Sequence, residues 1–329
     1  MRMKTLFLNP TATLFFVILT LLFALPGYPQ EDISKYPSRP ITFIDPFSAG
    51  GSGDLSIRLL GKEVEKYLGQ PIVVVNKPGG GGTIGVSAIA SAKPDGYTMG
   101  QSVGGAPLFI LPFLEKIPYH PVRDLKQIIQ YSSPNFGVIV KADSPFKSFK
   151  DLIVYARQNP KKVTYGTNAP NSISNLIMEH IARKEGVQFT HIPFKASPEY
   201  QTAVLGGHVY FSAGDFKFPL LEAGQTRLLL ILGEKRSDDY PEVPILKDLG
   251  YDIPVPIMFT VTAPKGIPDE IVKKLEDAFT KGVKEPAFLK GMKDLRHTII
   301  YRSSRELDDH VAYNYEFFGR LLKEMGLTK

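Results

Sequence analysis

Apolar positions alternate between short continuous runs and helical spacing, and the alternation repeats from residue 41 onward. Residues 41–44 form an apolar run, a loop of small residues follows, and Ile57, Leu60, Val64 and Tyr67/Leu68 then recur at helical spacing. The stretch predicts strand, glycine loop, helix. A second apolar run at 72–75 leads into Lys77-Pro78-Gly79-Gly80-Gly81-Gly82-Thr83, and 86–92 begins a short helix. Pro94-Asp95-Gly96 is a turn before a third run at 97–101. This βαβαβ order predicts a parallel sheet.

The pattern restarts at 138–141. Ser148-Phe149-Lys150-Asp151 has capping-box spacing ahead of a helix through Gln158. A strand at 163–165 feeds the polar loop 166–171, and Ile173, Leu176, Ile177 and Ile181 mark the next helix face. Further strands are expected at 190–192, 209–212, 227–232 and 257–261. Ser197-Pro198-Glu199 and Pro268-Asp269-Glu270 open helices, with proline near the first turn. A last helix from about Ser303 carries Leu307, Val311, Phe318, Leu321 and Met325 on one stripe. No internal sequence repeat is visible. Two alternating sets predict an α/β chain of two lobes, each a mainly parallel sheet flanked by helices. Ligands of such sheets sit outside the carboxyl ends of the strands, which places a cleft between the lobes.

Composition narrows the class. With 43% hydrophobic and 22% charged residues, the 329-residue chain reads as globular with substantial cores. The net charge is +6 without a Lys/Arg block, which disfavours nucleic acid and is compatible with anionic ligands. Residues 1–30 read as a secretory signal, with Arg2 and Lys4 before an apolar stretch at 14–25 and cleavage between 24 and 30. Cysteine is absent, which removes disulfides, thiolate metal sites, a cysteine nucleophile and a lipoprotein anchor. The chain is thus expected in the periplasm, unanchored.

Four stretches carry candidate chemistry. In Phe47-Ser48-Ala49-Gly50-Gly51-Ser52-Gly53-Asp54 the glycines let backbone approach a guest, and the helix start offers N–H groups and partial positive charge to an anion. Asp54 also reads as a cap, paired with Arg58 one turn on. The second-lobe loop, Gly166-Thr167-Asn168-Ala169-Pro170-Asn171-Ser172, offers hydroxyl and amide donors, and Lys195 follows a strand. Gly80-Gly81-Gly82-Thr83-Ile84-Gly85 matches G-x-G-x-x-G, but Lys77 and Pro78 separate it from its strand and no acidic residue closes a second strand at the required distance. Gly100-Gln101-Ser102-Val103-Gly104 matches the G-x-S-x-G elbow of α/β-hydrolases, with Asp215 and His297 or His310 as partners for Ser102. An esterase and a dinucleotide-dependent oxidoreductase therefore stand as alternatives. The six histidines show no metal-ligand spacing, and neither metal nor cofactor is expected.

Several ordered motifs together resemble one family. They are Tyr36-Pro37-Ser38-Arg39-Pro40-Ile41, 46–54, Leu68-Gly69-Gln70-Pro71-Ile72, Asn76-Lys77-Pro78 with its glycines, Lys93-Pro94-Asp95-Gly96-Tyr97, Ile192-Pro193-Phe194-Lys195, Tyr240-Pro241-Glu242-Val243-Pro244 and Ala263-Pro264-Lys265-Gly266-Ile267-Pro268. Over 36–329 the chain resembles the solute-binding proteins of tripartite tricarboxylate transporters, the Bug receptors. The resemblance implies a two-lobed, type II-like periplasmic binding fold, with lobe 1 at 36–139 plus 258–329 and lobe 2 at 140–257. It implies capture of a small organic carboxylate for a membrane permease of one large and one small subunit; a monomer that is no enzyme is expected, and a sensor kinase stands as an alternative partner. The ligand-binding set expected on this basis is Phe47, Ser48, Ala49, Gly50, Gly51, Ser52, Asp54, Gln101, Ser102, Thr167, Asn168, Ser172, Lys195 and Asp215. The sequence departs from the family at Asn168, Pro170 and Asn171, at Ala196 and at Tyr210.

Overall fold

A computed structural model describes residues 32–102 and 104–328. The leader expected in 1–30 lies outside the described residues. The chain divides after Tyr36 into two compact units. In the first, a single 3-10 turn, Ile33–Lys35, is capped by the Asp32 carboxylate, which accepts from Ser34 N. The second unit, from Pro37 onward, holds two five-stranded sheets.

The first sheet begins with β1 (Ile41–Asp45), followed by α1 (Ser52–Leu68), β2 (Ile72–Asn76), α2 (Thr83–Ala90) and β3 (Thr98–Gly100). Two short helices, α3 (Gly105–Phe109) and α4 (Leu111–Leu114), lead to β4 (Leu125–Ser132). The chain then crosses to the second sheet through β5 (Phe136–Lys141), α5 (Phe149–Gln158), β6 (Thr164–Thr167), α6 (Ile173–Glu185), β7 (Thr190–Pro193), α7 (Ser197–Leu205), β8 (Phe211–Asp215), α8 (Phe218–Glu222) and β9 (Thr226–Ile231). It returns as β10 (Phe259–Pro264) and finishes with α9 (Asp269–Gly282), α10 (Pro286–Asp294) and α11 (Ser304–Glu324) on the first lobe.

The strand orders are β2-β1-β3-β10-β4 and β7-β6-β8-β5-β9, the same plan twice. In each sheet four strands run one way and one runs against them: β10 opposes β3 and β4, and β5 opposes β8 and β9. The reason is connectivity. Both odd strands carry the chain in from the other lobe, so they start at the cleft edge where the others end. The expected boundary at 139/140 falls inside β5, which pairs along its length with β8 and β9; the divide sits earlier, at 133–135.

Local rules explain the elements that position the cleft. α1 buries Ile57, Leu60, Val64 and Leu68 on one face and ends at Gly69, whose φ of 71° needs no Cβ. Gly100 lets β3 lie close to β1, since a Cβ there would stand 2.3 Å from Ile44 O. Gly85 likewise lets α2 sit on Pro46, 2.7 Å from where its Cβ would be. Gly82, just before α2, also packs under the first loop, its would-be Cβ 3.6 Å from the Phe47 ring, so these glycines serve close packing and the dinucleotide reading loses its structural basis. Between β3, β4 and β10 lies a buried polar row. Ser102 Oγ lies 2.9 Å from Thr260 Oγ1 and 2.7 Å from Thr262 Oγ1, and Thr262 Oγ1 donates to Gln127 Oε1 at 2.8 Å. Because Gln127, Gln130 and Ser132 are buried along β4, its sequence carries no clean apolar run.

Candidate functional site

The carboxyl ends of β1, β6 and β8 and the starts of β5 and β10 meet around a cleft of about 340 Å³. From the first lobe its wall takes Phe47, Gly51, Ser52 and Gly53, the glycines Gly81, Gly104 and Gly105, and Ala106, Pro107 and Phe259. Pro134 and Ile257 come from the crossing segments. The second lobe supplies Phe136, Asn168, Ser172, Ile173, Ser174, Ser197 and Asp215.

Two long helices point their N-termini into this space. α1 starts after Gly51, which is extended and provides no side-chain cap, so the Ser52 and Gly53 N–H groups are left to the cleft. A carboxylate there meets both N–H donors and the positive end of the helix dipole. α6 starts after Ser172, whose Oγ accepts from Asn175 N at 3.3 Å and donates to Thr167 Oγ1 at 3.2 Å. Ser174, in the first turn of α6, is 1% exposed, and its Oγ has no hydrogen-bond partner among the described residues. A buried hydroxyl on a cleft wall without a partner is a donor awaiting one.

The first loop is held from behind by a charged cluster. Asn76 Nδ2 donates to Asp54 Oδ1 at 2.9 Å, to Asp45 Oδ2 at 3.2 Å and to Phe47 O at 3.0 Å. Asp54 Oδ2 accepts from Gly50 N at 2.9 Å, and Arg58 grips the same carboxylate from one turn along. Burial raises the Asp54 pKa, but the hydrogen bonds from Arg58, Gly50 N and Asn76 outweigh it and hold the group below the usual range. Among the described residues Asp45 takes side-chain hydrogen bonds from Phe47 N and Asn76, and burial, with the nearby Asp54 charge adding to it, outweighs these and the Arg58 charge and pushes it up to about 7.

Of the expected set, Phe47, Gly51, Ser52, Asn168, Ser172 and Asp215 are brought together on the cleft wall. The rest are not. Ser48, Ala49 and Gly50 form an exposed turn closed by Gly51 N donating to Ser48 O. Asp54 is 2% exposed and locks the loop. Gln101 is fully buried behind Gly53, with Oε1 accepting from Tyr131 OH at 2.5 Å. Ser102 is also fully buried, and its Oγ is engaged by threonines and Gln127, none of them a histidine, so the hydrolase elbow is not formed. Thr167 is buried, with Oγ1 donating to Ala169 O and 2.8 Å from His191 Nε2. Lys195 is exposed and off the wall; its N–H donates to Glu199 Oε2 in the first turn of α7. Reading the sequence missed Pro107, Phe136, Ile257 and Phe259. Phe136 was findable only through its pairing with Asp215 across β5 and β8, which is long-range information.

Residues 56–327 match the family described as tripartite tricarboxylate transporter family receptor. Among curated relatives, a protein encoded in the gbd 5' region of Cupriavidus necator is 40% identical over 94% of this chain and 93% of its own. BugT of Bordetella pertussis is 30% identical over 88% of this chain and 90% of its own. Among solved structures, a TctC solute-binding protein from Polaromonas superposes with a TM-score of 0.78 at 27% identity, covering 88% of this chain and 99% of that one. R. palustris Rpa4515, solved with adipate, superposes with a TM-score of 0.73 at 27% identity, covering 89% and 99%. Sheet order, cleft and sequence match thus converge on one conclusion: this chain belongs to the tripartite tricarboxylate transporter receptor family of solute-binding proteins.

Proposed function

We propose that the chain captures a small organic carboxylate in the cleft between its two sheets, in the periplasm, and delivers it to a permease with a large and a small membrane subunit. The observation that carries this reading is the convergence of the α1 and α6 N-termini on one cavity whose wall has no Lys, Arg or His among the described residues. Such a wall holds an anion through N–H and hydroxyl donors. The adipate bound to the R. palustris relative supports the same class of ligand. Among the described residues no helix is long and apolar enough to cross a membrane, which agrees with delivery to a separate permease. Among the described residues the chain crosses between the sheets at 133–135 and ahead of β10, and a ligand that touches both sheets would favour a closed form.

Isothermal titration of stripped protein against a panel of mono-, di- and tricarboxylates tests the reading. Saturable heats with at least one member, and none with the matching amides, are expected. Absence of binding across the panel contradicts it.

A further inference from the structure

Resting on the receptor reading above, we infer that the ligand is a carboxylate with an apolar body and a hydrogen-bond donor at its far end, and that Asp215 reads that donor. Asp215 is the one ionisable side chain on the cleft wall among the described residues. Its position is fixed at the end of β8. Its carbonyl oxygen accepts from Tyr200 OH and from Gln201 Nε2, both at 2.9 Å. Gly214 before it has φ of 155°, and a Cβ there would stand 2.7 Å from Tyr200 OH, so the backbone cannot slide. One carboxylate oxygen, Oδ2, is taken by Lys217 Nζ at 2.9 Å. The side chain is 27% exposed, and the other oxygen is left to the cleft.

A carboxylate accepts and does not donate. Lys217 offsets part of the Asp215 charge from behind, but no lysine or arginine lines the wall to pair a second ligand carboxylate, so a dicarboxylate would bring its far charge against Asp215 without a partner of its own. A hydroxyl or ammonium there gains a charge-assisted hydrogen bond. Between the two ends the wall is Phe47, Pro107, Phe136, Ile257 and Phe259, which rewards alkyl or aromatic carbon and gives nothing to further polar groups. The ligand carboxylate goes to the α1 and α6 N-termini, the part of the wall with N–H and hydroxyl donors and no acid.

The test uses matched probes on the purified, stripped chain: hexanoate, 6-hydroxyhexanoate and adipate by titration calorimetry, with benzoate and 4-hydroxybenzoate as an aromatic pair. The expected result is 6-hydroxyhexanoate binding about tenfold or more tighter than hexanoate and than adipate, the worth of one hydrogen bond to a charged group. Asp215→Asn should shrink the hydroxyl's advantage to about threefold or less and improve adipate. If all the probes bind alike, or adipate binds tightest to the unaltered chain, the inference falls while the receptor reading stands. If no carboxylate binds, both fall. The ranking on the unaltered chain decides the matter even where Asp215→Asn fails to fold.

Discussion

At the scale of single residues the cleft depends on groups that have little room to change. Gly53 is one: a Cβ there would lie 2.6 Å from buried Gln101 Nε2 and 3.4 Å from the Phe259 ring. Gly53→Ala should cost about 1–3 kcal/mol through overpacking and push the α1 start off its line. Binding should weaken by about tenfold or more, read by calorimetry beside a thermal melt. Asp45 supplies a pH signature. Its folded form keeps a proton to about pH 7, whereas an unfolded Asp releases it near 4. The stability it contributes is therefore complete below about pH 4 and lost as pH rises through 7. Asp54, held low, behaves oppositely: its contribution is present above the usual carboxylate range and lost as pH falls. His297 and His310, which burial pushes down to about 4, add stability as pH rises towards 6.5, so the Asp45 effect is read as a difference: the thermal midpoint of Asp45→Asn should gain on that of the parent as pH rises from about 5 to 8. A midpoint difference that stays constant across that interval would contradict the assignment.

At the scale of elements, two helix caps of the same chemistry do different work. Ser148 and Asp151 form a reciprocal capping box on α5, away from the cleft. Ser172 caps α6 on the cleft wall. Ser148→Ala and Ser172→Ala should each cost about 1 kcal/mol in denaturant unfolding, but only Ser172→Ala should weaken carboxylate binding. Much of this was legible in the chain. The Ser148 box, the strand–glycine–helix at 41–68 and the proline-opened helices are local signals. They survive folding because tertiary packing agrees with them. β4 and α10 were not legible. Buried Gln127 and Gln130 break the apolar run of β4, and α10 buries only Phe288 and Met292. Ser102 misled for the same kind of reason. Its motif is local, whereas the hydroxyls of Thr260 and Thr262 that engage it arrive from β10, far along the chain. Asp215 was placed past the end of its strand, and only the ladder with β5 carries β8 on to it.

At the scale of the whole molecule, one topological plan is used twice, and the repeat is invisible in sequence because only strand order and direction are shared. Each sheet presents its strand ends and a long helix's N-terminus to the same cleft. The crossings are stitched by the C-terminal segment: Ser133 N donates to Thr298 O at 3.0 Å, and Ser133 Oγ to Ile257 O at 2.6 Å. Three segments of chain therefore meet where the chain passes between the sheets. The central claim is that main-chain amides at two helix starts, one per lobe, hold the ligand's negative charge. Amide NMR during titration with a binding carboxylate measures this directly. The amide protons of Ser52, Gly53, Ile173 and Ser174 should shift together and saturate at one ligand per chain. Saturable binding that leaves those four resonances unmoved would contradict the account.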